Sequence, residues 1–158
     1  MSEETVGLKL ADGQDGPQVL TLLKQLSRES KTALFSGLAD LDQESASRDL
    51  AAWAQRDDGL ILLAVAGDQP LGIVTITPQD KSASQGELGL AVLKDYWGNG
   101  IGSMLADEAV YWFRNFNSLQ ALVLEVFKDN QAALAIYHHY GFQTVSQNDQ
   151  TQVMQIIK

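Results

Sequence analysis

The chain contains no cysteine. That excludes disulfides, cysteine-ligated zinc and any covalent acyl-cysteine intermediate. Positive charge is scarce: eleven Lys and Arg stand against twenty Asp and Glu, a formal net charge of −9. Nucleic-acid affinity comes mainly from basic side chains that neutralise phosphates, so no nucleic-acid partner is expected. A cationic ligand suits the balance better. No apolar run approaches the roughly 18 residues that cross a bilayer, so no membrane role is expected. The opening MSEETVGLKL is acidic and lacks the charged-then-apolar layout of a signal peptide. A soluble cytoplasmic protein is the resulting expectation. Low-complexity tracts and internal repeats are also missing.

What is present has the usage of a globular chain, with 45% hydrophobic and 20% charged residues among 158. This length suits one domain over residues 1–158. Val6, Leu8 and Leu10 alternate as in a first strand, which Asp12 and Gly13 break. Val19, Leu20, Leu22, Leu23 and Leu26 then recur at helical spacing over residues 17–28. A second helix is expected from Gln43 to about Gln55, carrying Leu50, Ala51, Trp53 and Ala54. Between them, residues 30–41 mix apolar and loop-forming types.

Strands are expected at 60–66, 71–77 and 86–93. The four-residue connection Gly67-Asp68-Gln69-Pro70 permits only antiparallel pairing of the first two. A long helix follows over 101–116, then a strand over 119–127. A helix opened by Asp129 and Asn130 runs to about Tyr140 and stops at Gly141. A closing hairpin occupies 142–146 and 151–157.

The segment VLKDYWGNGIGSML, residues 92–105, is the most informative. It joins a strand to a helix, with Gly98, Gly100 and Gly102 at alternate positions. Glycine lets the backbone turn sharply and approach a ligand. The helix start offers unpaired N–H groups and a positive dipole end. Together these form a diphosphate site that needs no basic side chain. A Walker loop is excluded, because Gly-Ile-Gly-Ser stands where Gly-Lys-Ser/Thr is required. A dinucleotide fingerprint fits poorly, since Ser103 occupies the third glycine position and an antiparallel meander precedes the loop. A tight turn without a ligand is the remaining alternative.

Trp97-Gly98-Asn99-Gly100-Ile101-Gly102 resembles the acyl-CoA-binding motif of the GNAT acetyltransferase superfamily, Gln/Arg-x-x-Gly-x-Gly/Ala. Trp97 replaces the usual Gln or Arg. A second stretch, LEVFKDNQAALAIYHHYGF over 124–142, resembles the family's later motif through Asn130, Ala132 or Ala133, Tyr137 and Gly141-Phe142. The resemblance implies an α/β (α+β) fold. Its central sheet would be mixed and mostly antiparallel, of about seven strands with four helices, splayed between the fourth and fifth strands. It implies acetyl-CoA as co-substrate, with the 97–103 backbone, Ser103 included, on the diphosphate. It also implies that amides of Ala91 and Val92 hold the pantetheine arm and thioester oxygen. Asn130 would contact the arm or a nearby water, or cap its helix.

An aliphatic amine has a pKa near ~10.4 and arrives mostly protonated at neutral pH. A carboxylate in the site can take that proton directly or through water. Glu87 resembles the position that often holds the family's general base; a solvated strand-edge residue is the other reading. Glu125, which interrupts an apolar strand, is the reserve. Tyr137 matches the general acid that serves the CoA sulfur, or is a core tyrosine. His138 and His139, the only histidines, point about 100° apart on a helix and read as surface residues; no metal is expected. Trp53, Trp112, Phe113 and Phe116 read as core or interface.

The expected activity is N-acetyl transfer from acetyl-CoA to a primary amine of a small molecule or protein, by direct attack in a ternary complex. A cationic small acceptor is slightly favoured; the resemblance implies that it is read largely by the first two helices and their connection, Ser27–Leu41, where Lys31, Phe35 and Asp40 form no recognisable code. A homodimer is compatible with the sequence. A non-catalytic acyl-CoA-binding regulatory module on the same fold is the alternative.

Overall fold

Hydrophobic spacing and turn chemistry order the elements along the chain. The computed structural model describes residues 5–29, 43–53, 55, 57–80 and 84–158. Strand β1 (Val6–Leu10) precedes helices α1 (Gly16–Glu29) and α2 (Gln43–Trp53). Strands β2 (Leu60–Ala66), β3 (Gln69–Asp80) and β4 (Gln85–Val92) form a meander. Helix α3 (Ile101–Asn115), strand β5 (Ala121–Phe127) and helix α4 (Gln131–His139) follow. Strands β6 (Gln143–Gln147) and β7 (Thr151–Ile157) close the chain. The segment with Lys31, Phe35 and Asp40, the side chain of Trp53, and Ala54 lie outside the described residues.

The seven strands make one sheet in the order β1-β2-β3-β4-β5-β7-β6. Every pairing is antiparallel except β4 with β5. The connection between those two carries α3, the crossover that parallel neighbours require. Helices cover both faces. On one, α1 and α2 bring Leu22, Leu23, Leu26 and Leu50 against Ile61, Leu63 and Ile73. On the other, Leu105, Ala109 and Phe113 of α3 meet Leu62, Val74 and Leu88. Because β2 is covered on both sides, it reads as a nearly unbroken apolar run.

Several boundaries differ from those the sequence suggests. Strand β3 starts two residues before Leu71 and runs past Thr77. Pro70 and Pro78, which cannot donate to a ladder, sit beside register shifts on either side of β3. Phe116, expected in the helix, caps α3 and is exposed. The Asn117 side chain stops the helix by donating to the Trp112 and Phe113 carbonyls at 2.7 and 3.0 Å.

Helices α1 and α2 touch through Gly16. A Cβ there would lie 2.1 Å from Ser47 Oγ, 2.7 Å from its Cα and 2.8 Å from its N. The hydroxyl can turn away, but the backbone cannot. Gly16→Ala is therefore expected to cost about 1–3 kcal/mol and to lower Tm by roughly 2–10 °C. Adding Ser47→Gly removes only the hydroxymethyl group and should not restore stability. A calorimetric Tm equal to wild type for Gly16→Ala would show that the helices part freely.

Candidate active site

Strands β4 and β5 pair only at their beginnings, through Gln85–Glu87 against Ala121–Val123. Beyond that point β4 stays on β3 as far as Val92, and β5 stays on β7 as far as Phe127. The sheet is thus split between two intact halves. In an antiparallel pair, N–H and C=O groups point at the partner on alternate residues. Leu93 N–H donates to the Leu71 carbonyl at 2.8 Å. The same parity turns Ala91 towards its partner Ile73 on β3, and Val92 and Leu90 towards the split. The Val92 N–H, expected on the thioester oxygen, thus faces the split. The Ala91 N–H, expected on the same arm, faces β3.

The glycine turn stands at the open end of the split. Gly98 and Gly100 have φ of +82° and +80°, the left-handed region that glycine enters most cheaply. At both, the space a Cβ would occupy is empty, so a ligand can approach the backbone. Gly102 differs: it is helical, and a Cβ there would meet Ile136 Cδ1 at 3.3 Å. That glycine lets α4 approach α3. Helix α3 has no side-chain cap at Gly100. Its first helical bond runs from Met104 N–H to the Gly100 carbonyl. The N–H groups of Ile101, Gly102 and Ser103 precede it at the positive end of the helix. Asn99 turns its side chain back to the Tyr96 carbonyl at 3.0 Å and braces the turn.

Helix α4 leaves the end of β5 and lies beside this turn. Asn130 caps it, accepting from Ala133 N–H at 3.2 Å. Tyr140 donates to Asp107 Oδ1 at 3.0 Å, tying α4 to α3. Between these anchors Tyr137 is only 4% exposed and packs on the Phe142 ring at 5.6 Å. Burial pushes its phenol well above the ordinary value. Among the described residues no partner is found for its hydroxyl. His138 and His139 are exposed. Among the described residues no group of three His, Asp or Glu is placed to hold a metal.

Glu87 occupies the last paired position before the split, opposite Thr77 on β3 and Val123 on β5. Leu88 and Leu90 face the α3 side of the sheet, so Glu87 faces the α1 side. Its carboxylate accepts from the Gln79 side-chain amide. Glu125 lies two residues beyond Val123, on the same face but across the split. It is exposed and accepts from the Thr151 hydroxyl at 2.8 Å. A wider groove of about 910 Å³ opens between α1 and the turn joining β2 to β3, on the other side of β4. Two contacts were invisible in the linear motif: the Tyr140–Asp107 tie, and a bond from the Trp97 indole N–H to the Val92 carbonyl at 2.7 Å.

A sheet split at its one parallel pair, with an uncapped helix and glycine turn at the open end, defines the acetyltransferase class of fold. Residues 22–142 match the acetyltransferase (GNAT) family, and the chain belongs to it. The structure is similar to the acetyltransferase of GNAT family from Streptococcus pneumoniae, with a TM-score of 0.88 and 28% identity over 98% of this chain and 100% of that one. It is similar in fold to a ribosomal-protein-alanine N-acetyltransferase from Brucella melitensis: TM-score 0.78, 22% identity, 96% and 99% of the two chains. It is also similar in fold to the PaiA N-acetyltransferase from Thermoplasma acidophilum, solved with coenzyme A: TM-score 0.69, 16% identity, 98% and 99% covered. No curated protein sequence matches the chain. Among the described residues no helix is long and apolar enough to cross a membrane.

Proposed function

We propose that residues 1–158 form one cytoplasmic domain that transfers the acetyl group of acetyl-CoA to a primary amine by direct attack in a ternary complex. The observation that carries this reading is the free edge of β4 in the split, ending at an uncapped helix start. The PaiA relative was solved with coenzyme A, and another structural neighbour is a spermidine N-acetyltransferase chimera. The acidic balance of the chain favours a cationic small molecule as acceptor over a protein amine.

Acetyl-CoA is a substrate here, and the site suits it. Backbone N–H groups of residues 98–103 hold the diphosphate, aided by the helix dipole. The Val92 N–H holds the thioester oxygen and strengthens as negative charge grows there. Asn130 keeps a side-chain NH₂ for the arm after its oxygen has capped α4. Glu87 accepts the proton of the incoming amine, directly or through water. The nitrogen–carbon bond forms as the carbon–sulfur bond breaks. Tyr137 hydrogen-bonds to the departing sulfur and supplies its proton.

Acetyl-CoA at about 100 times its dissociation constant should add about 2.7 kcal/mol of stability. For this chain length that is a rise in Tm of roughly 5–10 °C. Thermal melts with acetyl-CoA, followed by a panel of mono- and polyamines monitored for free thiol release, test both halves of the reading. A melt that ignores acetyl-CoA at millimolar concentration ends it.

A further inference from the structure

Trp97 is 56% exposed, yet its ring has a directed polar bond. The indole N–H donates to the Val92 carbonyl at 2.7 Å. The β3–β4 register turns that carbonyl into the split. A donor at this distance must lie on the β5 side of β4, next to the Val92 N–H. An extended ligand that pairs with the free edge of β4 has to enter the same space. A free strand edge is also a template for pairing with another chain, and a bulky ring at its end screens it.

We propose that the Trp97 indole is a resident donor on the Val92 carbonyl, which the amide-bearing arm of the coenzyme must displace. The inference rests on the coenzyme reading above and assigns the side chain a role of its own. An amide N–H of the arm takes over the carbonyl, and the exposed ring swings outwards with little loss of packing. The indole therefore opposes arm binding by the worth of one hydrogen bond, while the nucleotide end of the ligand does not sense it.

Calorimetric titration of wild type and Trp97→Phe with coenzyme A and with 3′-phospho-ADP tests this. The second ligand is the same nucleotide without the arm, and Phe keeps an aromatic ring but no N–H. Trp97→Phe should bind coenzyme A roughly two- to tenfold more tightly, and 3′-phospho-ADP with unchanged affinity. The difference in fluorescence between the two proteins reports Trp97 alone, and it should shift to the red when coenzyme A binds, as the ring enters water. If the variant binds both ligands more weakly, the indole merely braces the glycine turn and the proposal fails. Coenzyme A affinity that is unchanged or weaker beside unchanged 3′-phospho-ADP affinity also overturns it. Wild-type protein that binds neither ligand removes the coenzyme site itself, and this inference with it. That failure is distinct from a bound nucleotide that is blind to the substitution.

Discussion

Tyr137→Phe is expected to lower kcat by roughly a hundredfold or more and to leave Tm unchanged or raise it. The two directions have one origin. The phenol is buried, its ring packs on Phe142, and no partner among the described residues takes its hydroxyl. A buried hydroxyl without a partner costs about 1–3 kcal/mol, which Phe relieves while keeping the ring. A group kept at a cost to stability fits a functional site. Burial raises the phenol pKa, so it stays a hydrogen-bond donor across the physiological range. In the proposed mechanism its first role would be a charge-assisted bond to the developing thiolate.

The raised pKa also sets a pH signature. The folded phenol stays protonated where the unfolded one ionises, at about 10. Below that pH ionisation favours neither state; above it the unfolded chain gains by ionising and stability falls progressively. Wild type should therefore lose stability relative to Tyr137→Phe as pH rises past 10. Stopped-flow turnover and melts on the two proteins check both statements. Unchanged kcat with a Tm several degrees lower would make Tyr137 an ordinary core residue.

Most of the element order could be read from the chain because both helix and strand faces are strongly patterned. Leu20, Leu23 and Leu26 of α1 fall on one side, and Leu105, Ala109 and Phe113 of α3 on another. Boundaries were less legible where a single side chain decides them. Asn117 ends α3 through its own bonds to two carbonyls, and Phe116 gives no warning of it. Pro70 and Pro78 look like strand ends, yet register shifts accommodate them inside β3. The glycine turn was legible because φ near +80° at Gly98 and Gly100 leaves few other residue types. Which β4 amide faces the split was not, since Ala91 and Val92 differ only in ladder parity. Parity is set by pairing with β3, a partner twenty residues away in the chain.

Glu87→Gln should lower kcat/KM at pH 7 by roughly a hundredfold or more, and Glu125→Gln by only a few-fold. Both carboxylates face the α1 side of the sheet and flank the split. Glu87 stands at the point where the strands part and is half-buried, with one oxygen held by Gln79. That bond orients the carboxylate and leaves its remaining lone pairs for an amine or a water. Glu125 is exposed and bound to Thr151, so water screens its charge. The pH dependence sharpens the comparison. An aliphatic ammonium gives about tenfold more neutral amine per pH unit below its pKa near ~10.4. A variant without its base relies on that neutral fraction, so the ratio of wild type to Glu87→Gln should shrink as pH rises from 6.5 to 9.5. A ratio that stays constant would assign Glu87 to orientation of the acceptor instead of proton removal. A collapse in Glu125→Gln with Glu87→Gln intact would move the base across the split to β5.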